Sequence, residues 1–253
     1  MTIKDKQTRV AIVAAASAME AAGLNVGTAG NISTRLGPSM LITPSGVPTD
    51  TMRPEWIAAM PINGEYGAWA GPLKPSTEWR FHLDVMRARA DVGAIVHFHP
   101  TFCSALAMLH KPILAAHYMI AMFGGSVVKC TKYAPFGTKE LADLVVEGLG
   151  DRHAVLLGNH GALTTGADLP AAMRRARELE NLARMYYYAI CAGRPAILSE
   201  EEVARIAERF KTYGVPPESR KLAATPKKRS RRKTKAPGPK KAAPRKKKTR
   251  TTV

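Results

Sequence analysis

Hydrophobic and polar residues alternate along this chain with two periods, one of three to four residues and one of two. The longer period places apolar side chains on one face of a helix, whereas the shorter places them on one face of a strand. Segments with the longer period predict helices over residues 5–22, 77–90, 101–109, 139–149, 169–192 and 199–211. Short apolar runs predict strands over residues 31–36, 40–43, 93–98, 126–130, 154–157 and 162–164.

Turn-forming residues mark where several of these elements end. Gly23 follows the first helix, where a C-terminal glycine is common, and Asn63 with Gly64 predicts a hairpin-type turn after residues 59–62. Helices interleaved with short strands predict an α/β fold of three layers, α/β/α, with helices on both faces of a central, mostly antiparallel sheet. The chain has 253 residues, long enough for a sizeable core, and we expect one domain over residues 1–219.

The net charge of +18 is concentrated at the C-terminal end of the chain. Of 38 lysines and arginines, 16 lie in residues 220–253, which contain no acidic residue, so the preceding part has 22 basic residues against 20 acidic ones. This tail is rich in lysine, arginine, proline and alanine, and we expect it to be disordered because it has almost nothing apolar to bury. It is either a solvated extension or a polycation that binds nucleic acid and other polyanions without sequence preference.

The cysteines and the hydropathy of the chain predict a cytoplasmic protein without a membrane partner. Cys103, Cys130 and Cys191 are widely spaced, which predicts neither a disulfide framework nor a cysteine metal cluster. No apolar run reaches the length of a membrane-spanning helix, and the N-terminal residues begin an amphipathic pattern rather than a secretory signal.

Three histidines suggest a metal site. His97 and His99 end an apolar strand, and since residues two apart in a strand point to the same side, one cation could bind both. His160 lies in a loop of small residues, where Gly161 leaves room for a tight turn. Three histidines leave zinc an open coordination position, which is typical of catalytic sites. We expect structural roles for the other four histidines, two of which could support the ligands: His82, His110, His117 and His153.

A carboxylate and several small-residue loops could complete such a site. Glu78 follows Ser76 and Thr77 at the start of a predicted helix, a pattern that is commonly a structural cap. The same residues could instead form an anion site beside a proton-carrying glutamate. The loops over residues 27–33 and 42–46 offer amides and hydroxyls that could hold a phosphate.

Taken in order, the motifs Gly30-Asn31-x-Ser33, Thr43-Pro44-Ser45-Gly46, Ser76-Thr77-Glu78-Trp79-Arg80, His97-x-His99 and His160-Gly161 resemble the class II aldolase/adducin family. The resemblance covers residues 5–215 and implies that family's fold. It implies a Zn²⁺ ion held by His97, His99 and His160, with Glu78 as a ligand that leaves when substrate arrives and then carries a proton. The residues implied to bind the substrate phosphate are Gly30, Asn31, Ser45, Gly46, Ser76 and Thr77. Ser45 and Thr77 depart from the commonest residues at their positions, but both keep a hydroxyl.

The resemblance also implies roles for two tyrosines and an oligomeric state. Tyr118 would protonate the aldehyde oxygen in the condensation direction, and Tyr213 would help to close the site. Phe136 and Phe210 would line the aldehyde side. A homotetramer is implied, in which the tyrosines could serve a neighbouring subunit's zinc.

The expected activity is reversible cleavage of a ketose 1-phosphate into dihydroxyacetone phosphate and a small aldehyde. L-Fuculose 1-phosphate, 5-deoxyribulose 1-phosphate and methylthioribulose 1-phosphate are the candidate sugar phosphates. One alternative is a dehydratase of the same fold that acts on methylthioribulose 1-phosphate. Another is a non-enzymatic, adducin-like module whose basic tail binds nucleic acid.

Overall fold

A six-stranded sheet forms the centre of the molecule. The computed structural model describes residues 2–213, and the predicted tail with its boundary at residue 219 lies outside the described residues. The strands are β1 (Asn31–Leu36), β2 (Ser39–Ile42), β3 (Ala58–Pro61), β4 (Ala94–Phe98), β5 (Ile113–Leu114), β6 (Val127–Val128), β7 (Ala154–Leu157) and β8 (Gly161–Gly166). The central sheet has the order β3-β2-β1-β4-β8-β7, and every neighbouring pair is antiparallel. Strands β5 and β6 form a separate antiparallel pair.

Helices cover both faces of this sheet. They are α1 (Ile3–Ala21), α2 (Trp79–Ala88), α3 (Thr101–Met108), α4 (Lys139–Leu149), α5 (Leu169–Ala192) and α6 (Glu200–Phe210), with 3-10 helices at Pro54–Trp56 and Tyr118–Phe123. Along β4, Val96 and Phe98 pack with α1, α3 and α5, whereas Ile95 packs with α2 and α4 on the other face. These two cores confirm the predicted three-layer α/β/α fold.

Helix bounds agree closely with the sequence pattern. Helices α4 and α5 have the predicted bounds, because the side chains of Thr138 and Asp168 accept the N–H groups of Leu141 and Ala171 and fix each first turn. The first helix is followed by Gly23 in the left-handed region, with φ of +68°.

Two predictions about the strands are wrong. No tight hairpin forms at Asn63 and Gly64. The segment after β3 pairs with it through a single bridge between Ala59 and Ala70, so the connecting loop is longer than a two-residue turn. The strand predicted over residues 126–130 shortens to β6, since its last residue, Cys130, instead makes an isolated parallel bridge to Leu156.

Helix α2 is fixed to the sheet at its C-terminal end. The Arg35 guanidinium, from β1, donates to the carbonyl oxygens of Met86 at 2.7 Å and of Arg89 and Val92 at 3.0 Å. These bonds satisfy carbonyl groups that the end of a helix leaves without partners. The opposite end of α2 therefore has a defined position beside β1 and β4.

Within the described residues, no helix combines the length and the apolar character needed to cross a membrane. All three cysteines are free thiols.

Candidate metal centre and cavity

His97 lies on β4, a central strand of the sheet, near the strand's C-terminal end. His97 is paired with Asn31 of β1 on one side and with Leu163 of β8 on the other. His99 follows the end of β4, and the Nε2 atoms of His97 and His99 are 2.9 Å apart. The two imidazoles therefore lie on one side of the strand, as their spacing predicts.

The loop between β7 and β8 brings His160 to the same point. The three imidazole rings have pairwise centroid distances of 4.7 to 4.9 Å and interplanar angles of 73 to 77°. This near-symmetric arrangement turns their ring edges toward one centre.

Two residues beside His160 shape its loop. Asn159 takes the left-handed conformation, with φ of 53°, and its Oδ1 lies 2.6 Å from Nε2 of His110. At Gly161, a Cβ atom would stand 2.6 Å from the Phe98 carbonyl oxygen and 2.7 Å from Cδ2 of His99. Glycine is thus needed at position 161 for close approach to His99, and the tight turn expected there is made by Asn159.

The Glu78 carboxylate completes the cluster. Glu78 occupies the N-cap position of α2 but makes no side-chain capping bond. Its Oε2 lies 3.1 Å from Nε2 of His97, and its Oε1 lies 3.3 Å from Nε2 of His160. The Ser76 hydroxyl accepts the backbone N–H of Glu78 at 3.3 Å, while the Glu78 carboxylate faces the imidazoles.

These four side chains fit a metal ion. Their ligand atoms all lie within 4.8 Å of one another. His97 Nδ1 lies 2.9 Å from the Ala162 carbonyl oxygen, which can only accept, so Nδ1 carries the hydrogen and Nε2 presents a lone pair. Glu78 Oε1 is buried and has no hydrogen-bond partner among the described residues. Three imidazole nitrogens and one carboxylate oxygen form a donor set that suits zinc and related divalent ions.

Burial sets the charge states in this cluster. Burial lowers the pKa of His99 to about 3 and that of His160 to about 4. Burial alone would raise the pKa of the Glu78 carboxyl, but the neighbouring His97 and His160 and the hydrogen bond from Asn31 hold it well below its usual value. A neutral imidazole and an ionised carboxylate are the forms that bind metals.

Hydrogen bonds from residues behind the cluster support it. The Asn25 carboxamide accepts the backbone N–H of His99 at 2.7 Å, and Asn31 Nδ2 donates to Glu78 Oε2 at 2.9 Å. His82 is fully buried, and its Nε2 forms a hydrogen bond with Oδ1 of Asn31. Burial lowers the pKa of His82 to about 3, so this ring is neutral at physiological pH. Sequence reasoning missed Asn25; the one signal for His82 was its place four residues after Glu78, one helical turn away.

A cavity of about 370 Å³ opens beside the cluster. Its walls include Glu78, His99 and His160. They also include all six residues predicted to bind phosphate: Gly30, Asn31, Ser45, Gly46, Ser76 and Thr77.

Two loops form the polar wall of this cavity. Pro44 and Pro75 make an antiparallel bridge, and the Ser76 N–H donates to the Thr43 carbonyl at 2.9 Å. The bridge holds Ser45 and Gly46 beside Ser76 and Thr77. Hydroxyls and amides at the start of α2 then face one space, an arrangement that favours an anion.

The predicted aromatic residues divide into two groups. Phe136 lines the cavity together with Tyr133. Tyr118 lies in the second 3-10 helix, where its ring is 6.3 Å from that of Phe210, and Tyr213 is 84% exposed. Neither Tyr118 nor Tyr213 is among the described residues that line the cavity of their own chain.

Comparisons with known proteins match most of the chain. A family model described as the class II aldolase and adducin N-terminal domain matches residues 10–187. A Rhodospirillum rubrum protein named 5-methylthioribulose-1-phosphate/5-deoxyribulose-1-phosphate aldolase is 46% identical over 81% of this chain and 92% of its own. An Escherichia coli protein named L-fuculose phosphate aldolase is 44% identical over 76% and 89%, respectively. A solved structure described as L-fuculose 1-phosphate aldolase matches with a TM-score of 0.78 and 36% identity, covering 83% of this chain and 98% of that one.

The geometry predicts that each chain binds one divalent cation at these four side chains. Replacing one ligand, as in His97→Ala, should weaken binding of Co²⁺ by at least ~10-fold, since the remaining donors no longer complete the site. The measurement is titration followed by the visible absorption of Co²⁺. His153→Ala is the matched control, because His153 contacts Thr165 rather than the cluster. Equal Co²⁺ affinity in His97→Ala and the unmodified protein would contradict the assignment.

Proposed function

The chain belongs to the class II aldolase and adducin family, and from that premise we propose that it is a zinc-dependent aldolase for ketose 1-phosphates. It would reversibly cleave L-fuculose 1-phosphate, or a relative such as 5-deoxyribulose 1-phosphate, into dihydroxyacetone phosphate and a small aldehyde. One observation carries this proposal: the Glu78, His97, His99 and His160 cluster opens onto the same cavity as the two polar loops. A metal and a phosphate could thus hold the two ends of one small sugar phosphate.

Cleavage needs a proton to leave one hydroxyl and another to reach carbon. The hydroxyl beside the breaking carbon–carbon bond loses its proton and becomes the aldehyde, while the bonding electron pair passes to the fragment that carries the phosphate. A Zn²⁺ ion held by His97, His99 and His160 would stabilise the negative charge that develops on this fragment's oxygens. Glu78 would deliver the proton to the fragment's carbon, which completes dihydroxyacetone phosphate.

Glu78 suits this transfer because it lies between the metal ligands and the cavity. Its side chain is 8% exposed, and both carboxylate oxygens are within 3.3 Å of an imidazole nitrogen. In the resting site Glu78 would be a fourth zinc ligand. Bound substrate would displace it toward the cavity, where the carboxylate exchanges protons with the substrate.

The phosphate would lie against the two bridged loops. Ser45, Ser76 and Thr77 supply hydroxyls, Gly46 supplies a backbone amide, and its φ of +68° favours glycine. Gly30 also lies in the left-handed region, with φ of +73°. A Cβ atom at this position would clash with the Asn25 side chain and the His97 carbonyl oxygen. Asn31 has a second Nδ2 hydrogen to offer a ligand. Holding the phosphate far from the breaking bond would position the reacting carbons.

The tyrosines are proposed to act in a neighbouring subunit of a homotetramer. Tyr118 would exchange the proton of the aldehyde oxygen, and Tyr213 would close the site. Support comes from their position: both are exposed, at 46% and 84%, and lie apart from the cavity of their own chain. Exposed aromatic side chains are common at subunit contacts.

Subunit complementation tests this arrangement. Loss of a metal ligand in His97→Ala, or of an acid–base group in Tyr118→Phe, should lower kcat by at least ~10²-fold. Mixed tetramers of the two variants should regain activity, because some sites combine an intact metal cluster with an intact tyrosine from the next subunit. Steady-state rates after co-expression measure this gain. Mixtures no more active than the average of the two variants would contradict the shared site.

Product analysis tests the reaction itself. Metal-loaded protein incubated with ketose 1-phosphates that differ in the aldehyde half should release dihydroxyacetone phosphate, detected by a coupled reduction with NADH. Activity should vanish with a chelator and return with Zn²⁺. The panel includes methylthioribulose 1-phosphate, since the compared relatives carry names with different sugars. A diketone product without triose phosphate would instead establish the dehydratase, and full activity after verified metal removal would contradict metal dependence.

The tail over residues 220–253 is proposed to bind nucleic acid and other polyanions. Its 16 basic residues without an acidic one support counterion release as the driving force. The free thiols of the described residues support a cytoplasmic location, where such polyanions are abundant.

Deleting residues 221–253 should abolish binding to duplex DNA without changing kcat/KM for the sugar phosphate. The full chain should lose affinity steeply between about 50 and 200 mM salt, by ~10³-fold if about six phosphates are contacted. Fluorescence anisotropy of labelled DNA of unrelated sequences measures the DNA affinity and its salt dependence, and steady-state kinetics measure kcat/KM. Unchanged DNA binding after the deletion would contradict the proposal.

A further inference from the structure

We infer that His82 is a positioning residue that fixes the orientation of the Glu78 carboxylate through the Asn31 side chain. The inference rests on the proposed function, because it assigns Glu78 to the metal and the proton transfer. It concerns four side chains that form one hydrogen-bonded chain, here called the His82 relay: Ser33, His82, Asn31 and Glu78.

Two elements place the relay. Glu78 and His82 are four residues apart at the start of α2 and so lie on one face of the helix. Asn31 and Ser33 are two residues apart in β1 and point to the same face of the sheet. That face is the one on which His97, paired with Asn31, presents its imidazole. The relay therefore fills the space between α2 and the sheet directly behind the metal cluster.

Hydrogen-bond chemistry gives the relay a single direction. The Glu78 carboxylate can only accept, so Nδ2 of Asn31 must face it, at 2.9 Å from Oε2. The carbonyl oxygen of Asn31 then faces His82 Nε2, which must carry the hydrogen. In the neutral ring this leaves Nδ1 as an acceptor, and the Ser33 hydroxyl lies 2.7 Å away to donate to it.

Burial makes each hydrogen bond of the relay costly to lose. Asn31, Ser33, Glu78 and His82 are at most 6% exposed, so water cannot readily replace a lost partner. Phe81 holds the imidazole in place, because its ring stacks on His82 at 4.8 Å and contacts His97 edge-on at 5.2 Å. Without the hydrogen of His82, the Asn31 amide could rotate and turn its oxygen toward the carboxylate, which would repel Glu78.

The relay also distinguishes the two oxygens of Glu78. Oε2 accepts from Asn31, whereas Oε1 has no hydrogen-bond partner among the described residues. Holding Oε2 from behind leaves Oε1, which lies 3.3 Å from His160 Nε2, without a hydrogen bond in the described part of the chain and available to a metal. Through Asn31, His82 thereby sets which oxygen is offered to the metal, although it makes no hydrogen bond to a metal ligand itself.

Substitutions at His82 separate this role from packing. His82→Gln keeps a donor where Nε2 stands, whereas His82→Leu keeps a similar volume without one. Removing a supporting hydrogen bond typically weakens metal binding ~10- to 100-fold. His82→Leu should therefore lose at least ~10-fold in Zn²⁺ affinity and in kcat, and His82→Gln should stay within ~3-fold of the unmodified protein. Zn²⁺ affinity is measured by competition with a chromophoric chelator, and thermal unfolding checks that each variant is folded.

A double-mutant cycle shows whether His82 acts through Asn31. In an Asn31→Ala background, His82→Leu should produce no further loss of Zn²⁺ affinity, because the relay is already broken. His153→Leu is the control for a half-buried histidine outside the relay, and its Zn²⁺ affinity should be unchanged. Additive losses from His82→Leu and Asn31→Ala, or a folded His82→Leu with full affinity, would overturn the inference.

A spectroscopic measurement keeps the inference separate from the proposed function. Nitrogen-15 NMR of the histidine side chains in the metal-free full chain should show His82 as a neutral ring with its hydrogen on Nε2. A neutral ring with its hydrogen on Nδ1 would overturn the relay even in an active aldolase. Absence of Zn²⁺ binding and of aldolase activity in the unmodified protein would instead refute the proposed function, while this tautomer still decides the relay.

Discussion

Burying the Glu78 carboxylate beside three imidazoles is costly, because an ion removed from water loses several kilocalories per mole of hydration. Contacts with His97, His160 and Asn31 offset this cost only while they are held in place. The central sheet supplies that restraint, since it fixes β1, β4 and β8 side by side. Helix α2 must also be held in place, because Glu78 lies at its N-terminal end. Arg35 anchors the C-terminal end of α2 to β1.

The same restraint explains how the site combines two unlike regions. On one side are the buried donors of the cluster, and on the other is a polar wall built from the loops at Ser45 and Ser76. A small sugar phosphate would reach both at once. The proposed contribution of Tyr118 from a neighbouring subunit would complete the site on its remaining side, where the single chain presents Tyr133 and Phe136. In the proposed arrangement the fold would supply metal and phosphate binding, while assembly would supply the last proton donor.

Sequence alone predicted the features that depend on local periodicity. Helices α4 and α5 could be bounded because their caps and apolar spacing agree, and His97 with His99 could be paired because strand geometry fixes their common face. The direction of the Asn31 amide could not be predicted, since it depends on the pairing of β1 with β4 and on the rotation of α2. The predicted hairpin at Gly64 was wrong, because two turn-forming residues do not determine the length of the loop that follows β3.

We propose that Glu78, His97, His99 and His160 together hold one zinc ion, since their ligand atoms lie within 4.8 Å of one another. The decisive experiment is crystallography of the zinc-loaded protein, with diffraction data collected on both sides of the zinc absorption edge. A single anomalous peak per chain is expected, about 2.0–2.2 Å from the three imidazole Nε2 atoms and one Glu78 oxygen. A peak bound by other residues, or an empty cluster in crystals that hold zinc elsewhere, would contradict it.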